Sequence, residues 1–201
     1  MGRIIPFGID FEARLAASGR LQQRSGGRPV DVAVDANASV RTVYALVDRQ
    51  SLPGLFRAFD FASPDQSIER RPRTMVPQQA LFALNSPLML TQAQALAERS
   101  ERLASETAIA IVTTKPSANA NAGQSAGRGD DRRDTSGASV GDAAAVATDA
   151  RIRTLYRLVY AREPSPDELA DCREFIATVN ADAWRQLAQT LLSANELMYL
   201  D

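Results

Sequence analysis

From residue 152 onward, apolar and polar positions alternate with the period of an α-helix. Ile152, Leu155, Tyr156, Val159 and Tyr160 recur at the spacing of one helical face. The next segment, "EPSPDELADCREFIATV", carries a start signal: Ser165 fits an N-cap, Pro166 fits the first helical position, and Glu168 stands where a capping box needs its acid. Its apolar face is Leu169, Cys172, Phe175, Ile176 and Val179. A third helix is predicted from about Asp182, with Trp184, Leu187, Ala188, Leu191 and Leu192 inward. Three amphipathic helices with short connections predict a small antiparallel bundle over residues 148–201.

Residues 1–112 read as a mixed, mainly helical and partly irregular region. "DFEARLAASGRL" is a short helix that Gly19 ends. "GGRPVDV" is a turn leading into an extended piece. "SVRTVYALVDRQ" places Val40, Val43, Tyr44 and Val47 on one helical face with Ser39 as cap, while its β-branched content also fits a strand. Pro53, Gly54 and Pro64 break "SLPGLFRAFDFASPD", so irregular structure pinned by Leu55, Phe56, Phe59 and Phe61 is expected. Pro77 opens a helix through Leu84, and "NSP" stops it. Ser86 and Pro87 cap the next helix, which carries Leu88, Met89, Ala93, Leu96 and Leu103.

Between these regions lies "TTKPSANANAGQSAGRGDDRRDTSGASVGD", whose only large apolar residue is Val140. Such a stretch buries too little surface to offset its ordering entropy. A disordered linker over 113–147 is the expectation. The fold class predicted is therefore mainly α: an irregular helical N-terminal region, a linker, and a three-helix C-terminal module.

Composition narrows the chemistry by what is missing. The 201 residues contain no histidine and one cysteine, Cys172. That excludes Ser-His-Asp and Cys-His catalysis, imidazole metal ligands, c-type haem attachment, an intramolecular disulfide and a cysteine zinc cluster within this chain. Cys172 reads as a structural thiol. Net charge is −1, which gives no global field toward nucleic acid or an acidic membrane. Lys115 is the only lysine, and arginine enrichment along the whole chain reads as coding bias. No run has the length of a membrane span, and the start, "MGRIIPFGIDFEARL", lacks the pattern of a signal peptide.

Taken in order, "DFEARLAASGRL" with "GGRPVD", "SVRTVYALVDRQSLPGLFRAFDFASPD", "RPRTMVPQQALFALNSPLML", "RIRTLYRLVYAREPSPDEL" and "WRQLAQTLLSANELMYLD" resemble domain-of-unknown-function family 1553. This is the C-terminal domain of large planctomycete proteins that often begin with a cytochrome-c-like domain. The resemblance covers nearly all of the chain outside the linker. It implies that the chain is the tail of a larger, usually exported protein, with a haem module upstream in its relatives. Residues before Asp10 depart from the pattern, and the first helix is shorter than the pattern has it, which points to a fragment. The family brings no established catalytic residues, and no cofactor is expected in this chain.

One segment concentrates polar chemistry. Asp60, Asp65, Arg70, Arg71, Arg73, Thr74, Gln78 and Asn85 fall in one irregular loop and the helix after it. Arginine forks on such a loop, beside a helix N-terminus, can bind carboxylate, sulfate or phosphate. The alternative, preferred here, is a clamp in which Asp60 and Asp65 pair with the arginines and the amides satisfy loop carbonyls. Acidic interruptions and the lack of interleaved aromatics argue against nucleic acid. The function expected is a non-catalytic accessory or interaction module with other domains or proteins as partners. The competing expectation is a remnant of an enzyme region acting on polysaccharide or another anionic substrate, with the Arg/Asp cluster as its site.

Overall fold

In the computed structural model the periodic segments fold as helices. Residues 11–23, 26–32, 35, 37–48, 50–51, 54, 56, 77–113, 140–179 and 181–198 are described. The helices are α1 (Phe11–Ser18), α2 (Pro77–Asn85), α3 (Pro87–Thr113), α4 (Val140–Tyr160), α5 (Pro166–Thr178), α6 (Ala183–Ser193) and α7 (Asn195–Met198). The protein is mainly helical, as its periodicity predicts. Among the described residues the only β pairing is an isolated parallel bridge from Val30 to Ala45.

Local chemistry explains where the helices start and stop. Ser165 Oγ accepts the Glu168 amide at 3.2 Å, and the Glu168 carboxylate accepts the Ser165 amide at 2.7 Å. This reciprocal box with Pro166 at the first position starts α5; the cap alone contributes ~1 kcal/mol. Gly19 ends α1 at φ +74°, a conformation that other residues rarely adopt. A Cβ at this position would also lie 3.2 Å from the Arg99 side chain. Pro87 opens α3, and Ser86 before it is buried, its carbonyl accepting the Leu90 amide at 3.0 Å.

The helices bury one continuous apolar cluster. Met89, Ala93, Leu96 and Ala97 of α3 pack with Ile152, Leu155, Tyr156 and Val159 of α4, and with Leu187, Ala188, Leu191 and Leu192 of α6. Leu169 and Cys172 of α5, Leu197 of α7, Ala17 of α1 and Ala83 of α2 complete it. Leu96, Ile152, Leu155 and Leu192 are fully buried, each worth about 1.5–3 kcal/mol relative to exposure. Helices from both sides of residues 114–139 thus share this core. The expected linker lies largely outside the described residues.

Two expectations need correction. The helix expected from Ser39 does not form. Arg41 and Ala45 are extended and enclose a single 3₁₀ turn, Thr42–Tyr44, and Val43 points outward at 68% exposure. The Val30 amide bonds to Tyr44 O and the Leu46 amide to Val30 O, so the main chain is satisfied by a bridge instead. The β-branched residues, with their restricted χ1, favour that outcome. Second, α4 starts at Val140, inside the span assigned to the linker. "DAAAVATDA" has few large apolar residues, but alanine is the strongest helix former. Of the residues expected to pin the segment after Ser51, Phe56 is buried; Leu55, Phe59 and Phe61 lie outside the described residues.

Candidate functional site

The densest polar arrangement among the described residues centres on Arg162, in the turn between α4 and α5. Its Nε donates to Glu196 Oε1 at 2.7 Å and its Nη2 to Glu196 Oε2 at 2.8 Å. Nη2 also donates to Glu168 Oε1 at 2.7 Å, while Nη1 donates to Glu168 Oε2 at 2.8 Å and to the Glu163 carbonyl at 3.1 Å. A guanidinium has five N–H donors, and these five bonds use all of them. The cation also lies 5.3 Å from the ring centre of Tyr156 and 5.4 Å from that of Tyr160.

This arrangement locks charges in place. Hydrogen bonds from Arg162, then from the Ser165 amide, hold the Glu168 carboxyl down to about 2, and Arg162 likewise lowers Glu196. The same hydrogen bonds raise Arg162 above its ordinary value. Burial pushes the Tyr160 hydroxyl up to about 12 and raises Tyr156 as well. Neither phenol ionises near neutrality. Tyr160 donates to the Leu191 carbonyl at 2.8 Å, tying α4 to α6.

Other cationic and amide side chains are also directed at the main chain of neighbouring helices. Arg14 of α1 is 1% exposed, and its Nε donates to Leu192 O in the last turn of α6 at 2.9 Å. Arg99 Nη1 donates to Ala16 O and Ala17 O, at 2.7 and 2.8 Å, at the end of α1. Gln189 Nε2 of α6 donates to Leu84 O at 2.6 Å, near the end of α2. The last carbonyls of a helix lack intrahelical donors and carry its negative dipole end, so cations and amides there satisfy both needs. Arg151 of α4 is directed instead at the middle of α3, donating to Ala97 O at 2.9 Å and to Ser100 Oγ at 3.2 Å, with its guanidinium over the Trp184 ring at 4.1 Å.

The residues singled out from sequence divide sharply. Asp60, Asp65, Arg70, Arg71, Arg73 and Thr74 lie outside the described residues. Gln78 is exposed in the first turn of α2, and Asn85 Nδ2 donates to Leu81 O one turn back at 2.9 Å. Cys172 is buried with Sγ 3.9 Å from the Tyr156 oxygen, and burial raises its pKa. A neutral, enclosed thiol is a packing group rather than a nucleophile. Among the described residues no group of three or more Asp, Glu, Cys or His is placed to hold a metal ion, and no helix is long and apolar enough to cross a membrane.

Sequence reading missed Arg162 and Arg14 as organising residues. The spacing of Arg162 from Glu168, across a capping box, was a usable signal. So was Arg14 itself, which shares the i, i+3, i+4, i+7 face of α1 with Leu15 and Ser18 and so occupies a core position.

A family model described as PSD1, protein of unknown function (DUF1553), matches residues 11–176. The chain belongs to this family. The match runs from the start of α1 to the last turn of α5 and so includes Arg14, Arg99, Arg162 and Glu168. No curated protein and no solved structure matches the chain. The family description names no reaction, so the geometry of these side chains has to carry the functional reading.

Proposed function

We propose that this PSD1-family chain is a non-catalytic helical accessory module, acting through its shape and its contacts with other domains or proteins. The observation behind this reading is Arg162. It is the most elaborate charged group in the described fold, and each of its five N–H donors is already bonded to Glu196, Glu168 or the Glu163 carbonyl. A catalytic or anion-binding arginine needs a donor directed at the ligand; this one has none to spare. Arg99, Arg14 and Gln189 support the same reading, since they close helix ends.

The test addresses the arginines that sequence reading singled out. Calorimetric titration of the intact protein with a sulfated polysaccharide and with inorganic phosphate is expected to give no saturable heat. Saturable binding that disappears in Arg70→Ala, Arg71→Ala or Arg73→Ala, at unchanged thermal stability, would overturn the module reading. It would then favour a site for an anionic substrate on that loop.

A further inference from the structure

An apolar pocket of about 20 Å³ lies apart from the Arg162 cluster, where α1 and α3 meet the irregular segment before and through the 3₁₀ turn. Its wall includes Arg14 and Leu15 of α1, Val40 and Thr42 of that segment, and Leu88 and Met89 of α3. Leu15, Val40, Leu88 and Met89 are buried, and the surface turned to the pocket is almost entirely hydrocarbon. The chain before α1 joins the fold beside this pocket. Arg41 Nε donates to Glu12 Oε2 at 3.0 Å, which holds the wall at Val40 and Thr42 against the first turn of α1. Residues 1–10, outside the described residues, therefore enter α1 one turn from Arg14 and Leu15. They end in Gly8-Ile9-Asp10, with Asp10 directly before the first residue of α1, where an N-cap stands, and Ile9 before it. An apolar residue in that place commonly packs back on the fourth helical residue, which here is Arg14.

We propose that this pocket is a docking site for the Ile9 side chain, which staples the chain before α1 to the walls at Val40 and Met89. Size and chemistry choose the occupant. The volume takes the end of one aliphatic side chain and is too small for an aromatic ring, which sets Phe7 aside. A polar group would lose its water there and meet only hydrocarbon. Ile4 and Ile5 share the chemistry of Ile9 but stand farther from α1, beyond Pro6 and Gly8. A filled pocket gains the dispersion contacts that an empty one lacks. The staple also fixes the angle at which the preceding chain enters α1. This contact is independent of the module reading, since it involves none of the charged ties.

Methyl-labelled intact protein decides the matter. Nuclear Overhauser contacts are expected from the Ile9 δ1 methyl to the methyl groups of Val40 and Met89. Contacts from Ile4 or Ile5 instead, contacts from a second copy in mixed-label samples, or no contact from any of these methyls would overturn the proposal. A mutant cycle reads the same point through stability. Ile9→Ala should lower Tm by about 2–4 °C. Val40→Ile, which adds one carbon to the wall, should lower Tm when Ile9 is present and raise it in the Ile9→Ala background. A Val40→Ile change that raises Tm equally in both backgrounds would mean that the pocket is empty, and would equally overturn the proposal.

Discussion

Replacing Arg162 tests the central element of the fold most directly. Arg162→Met keeps an apolar stem against Tyr156 and Tyr160 but removes both forks. The side chain of Arg162 is 38% exposed, that of Glu168 33% and that of Glu196 46%, so solvent screens each pair. Exposed pairs contribute ~0.2–1 kcal/mol each, and the bidentate geometry of both places them toward the upper end. Contacts of the cation with two rings add ~0.5–1 kcal/mol. The total is about 2 kcal/mol, which in a chain of this size lowers Tm by about 4–8 °C. Glu168 and Glu196 would also be left facing one another without a shared cation. Arg162→Lys keeps the charge but loses the planar fork, and should recover about half of the loss. Urea and thermal denaturation of these variants would measure this. A double-mutant cycle with Glu196→Gln should give a coupling of ~1 kcal/mol, because the short α7 is held by this contact and by the buried Leu197. A loss below about 0.5 kcal/mol in Arg162→Met, or full stability in Arg162→Lys, would refute the argument.

Two further outcomes follow from the same contacts. Glu168 is depressed from 4.5 to about 2 and Glu196 is lowered too; such carboxylates contribute stability that is present above pH 4.5 and lost as pH falls toward 2. Acid denaturation of Glu168→Gln should therefore be shallower over that window, with Glu196, Asp149 and Glu163 supplying the slope that remains; an acid transition identical to wild type would contradict it. Residues 1–113 and 140–201, expressed as two chains, should copurify and regain the far-ultraviolet helical signal only together, because Met89 and Leu96 of one share the core with Leu187 and Leu192 of the other; two pieces that each unfold cooperatively alone and never associate would show that the shared core is not needed.

What the sequence made legible was whatever depends on neighbours along the chain. The faces of α4, α5 and α6, the Ser165 box, the Gly19 stop and the helix from Pro77 each rest on residues within about one or two turns of one another, and each appears in the structure. The 39–47 segment failed for a related reason. Val40, Val43, Tyr44 and Val47 satisfy a helical period, but whether that face forms depends on Val30, which lies ten residues or more away and bridges to Ala45. Alanine misled the boundary at Val140 because it is compatible both with a low-complexity linker and with a good helix.

The polar architecture was the least legible part, and the reason is separation along the chain. Arg14 meets Leu192 across 178 residues, Gln189 meets Leu84 across 105, Arg99 meets Ala16 across 83, and Arg162 meets Glu196 across 34. A local density of arginine and aspartate, as at residues 60–73, is easy to see in a sequence. A helix end that needs a donor from another helix leaves no such local trace. Each of these ties nevertheless obeys a simple requirement: the last carbonyls of α1, α2 and α6, or the Glu196 carboxylate in the first turn of α7, face a side chain that can donate to them. Arginine suits this role better than lysine, because one guanidinium can serve Glu168, Glu196 and the Glu163 carbonyl together, with its direction fixed by its plane. The arginine-rich composition is therefore not chemically idle, whatever its origin. At Arg14, Arg99, Arg151 and Arg162 it joins helices that the sequence places far apart.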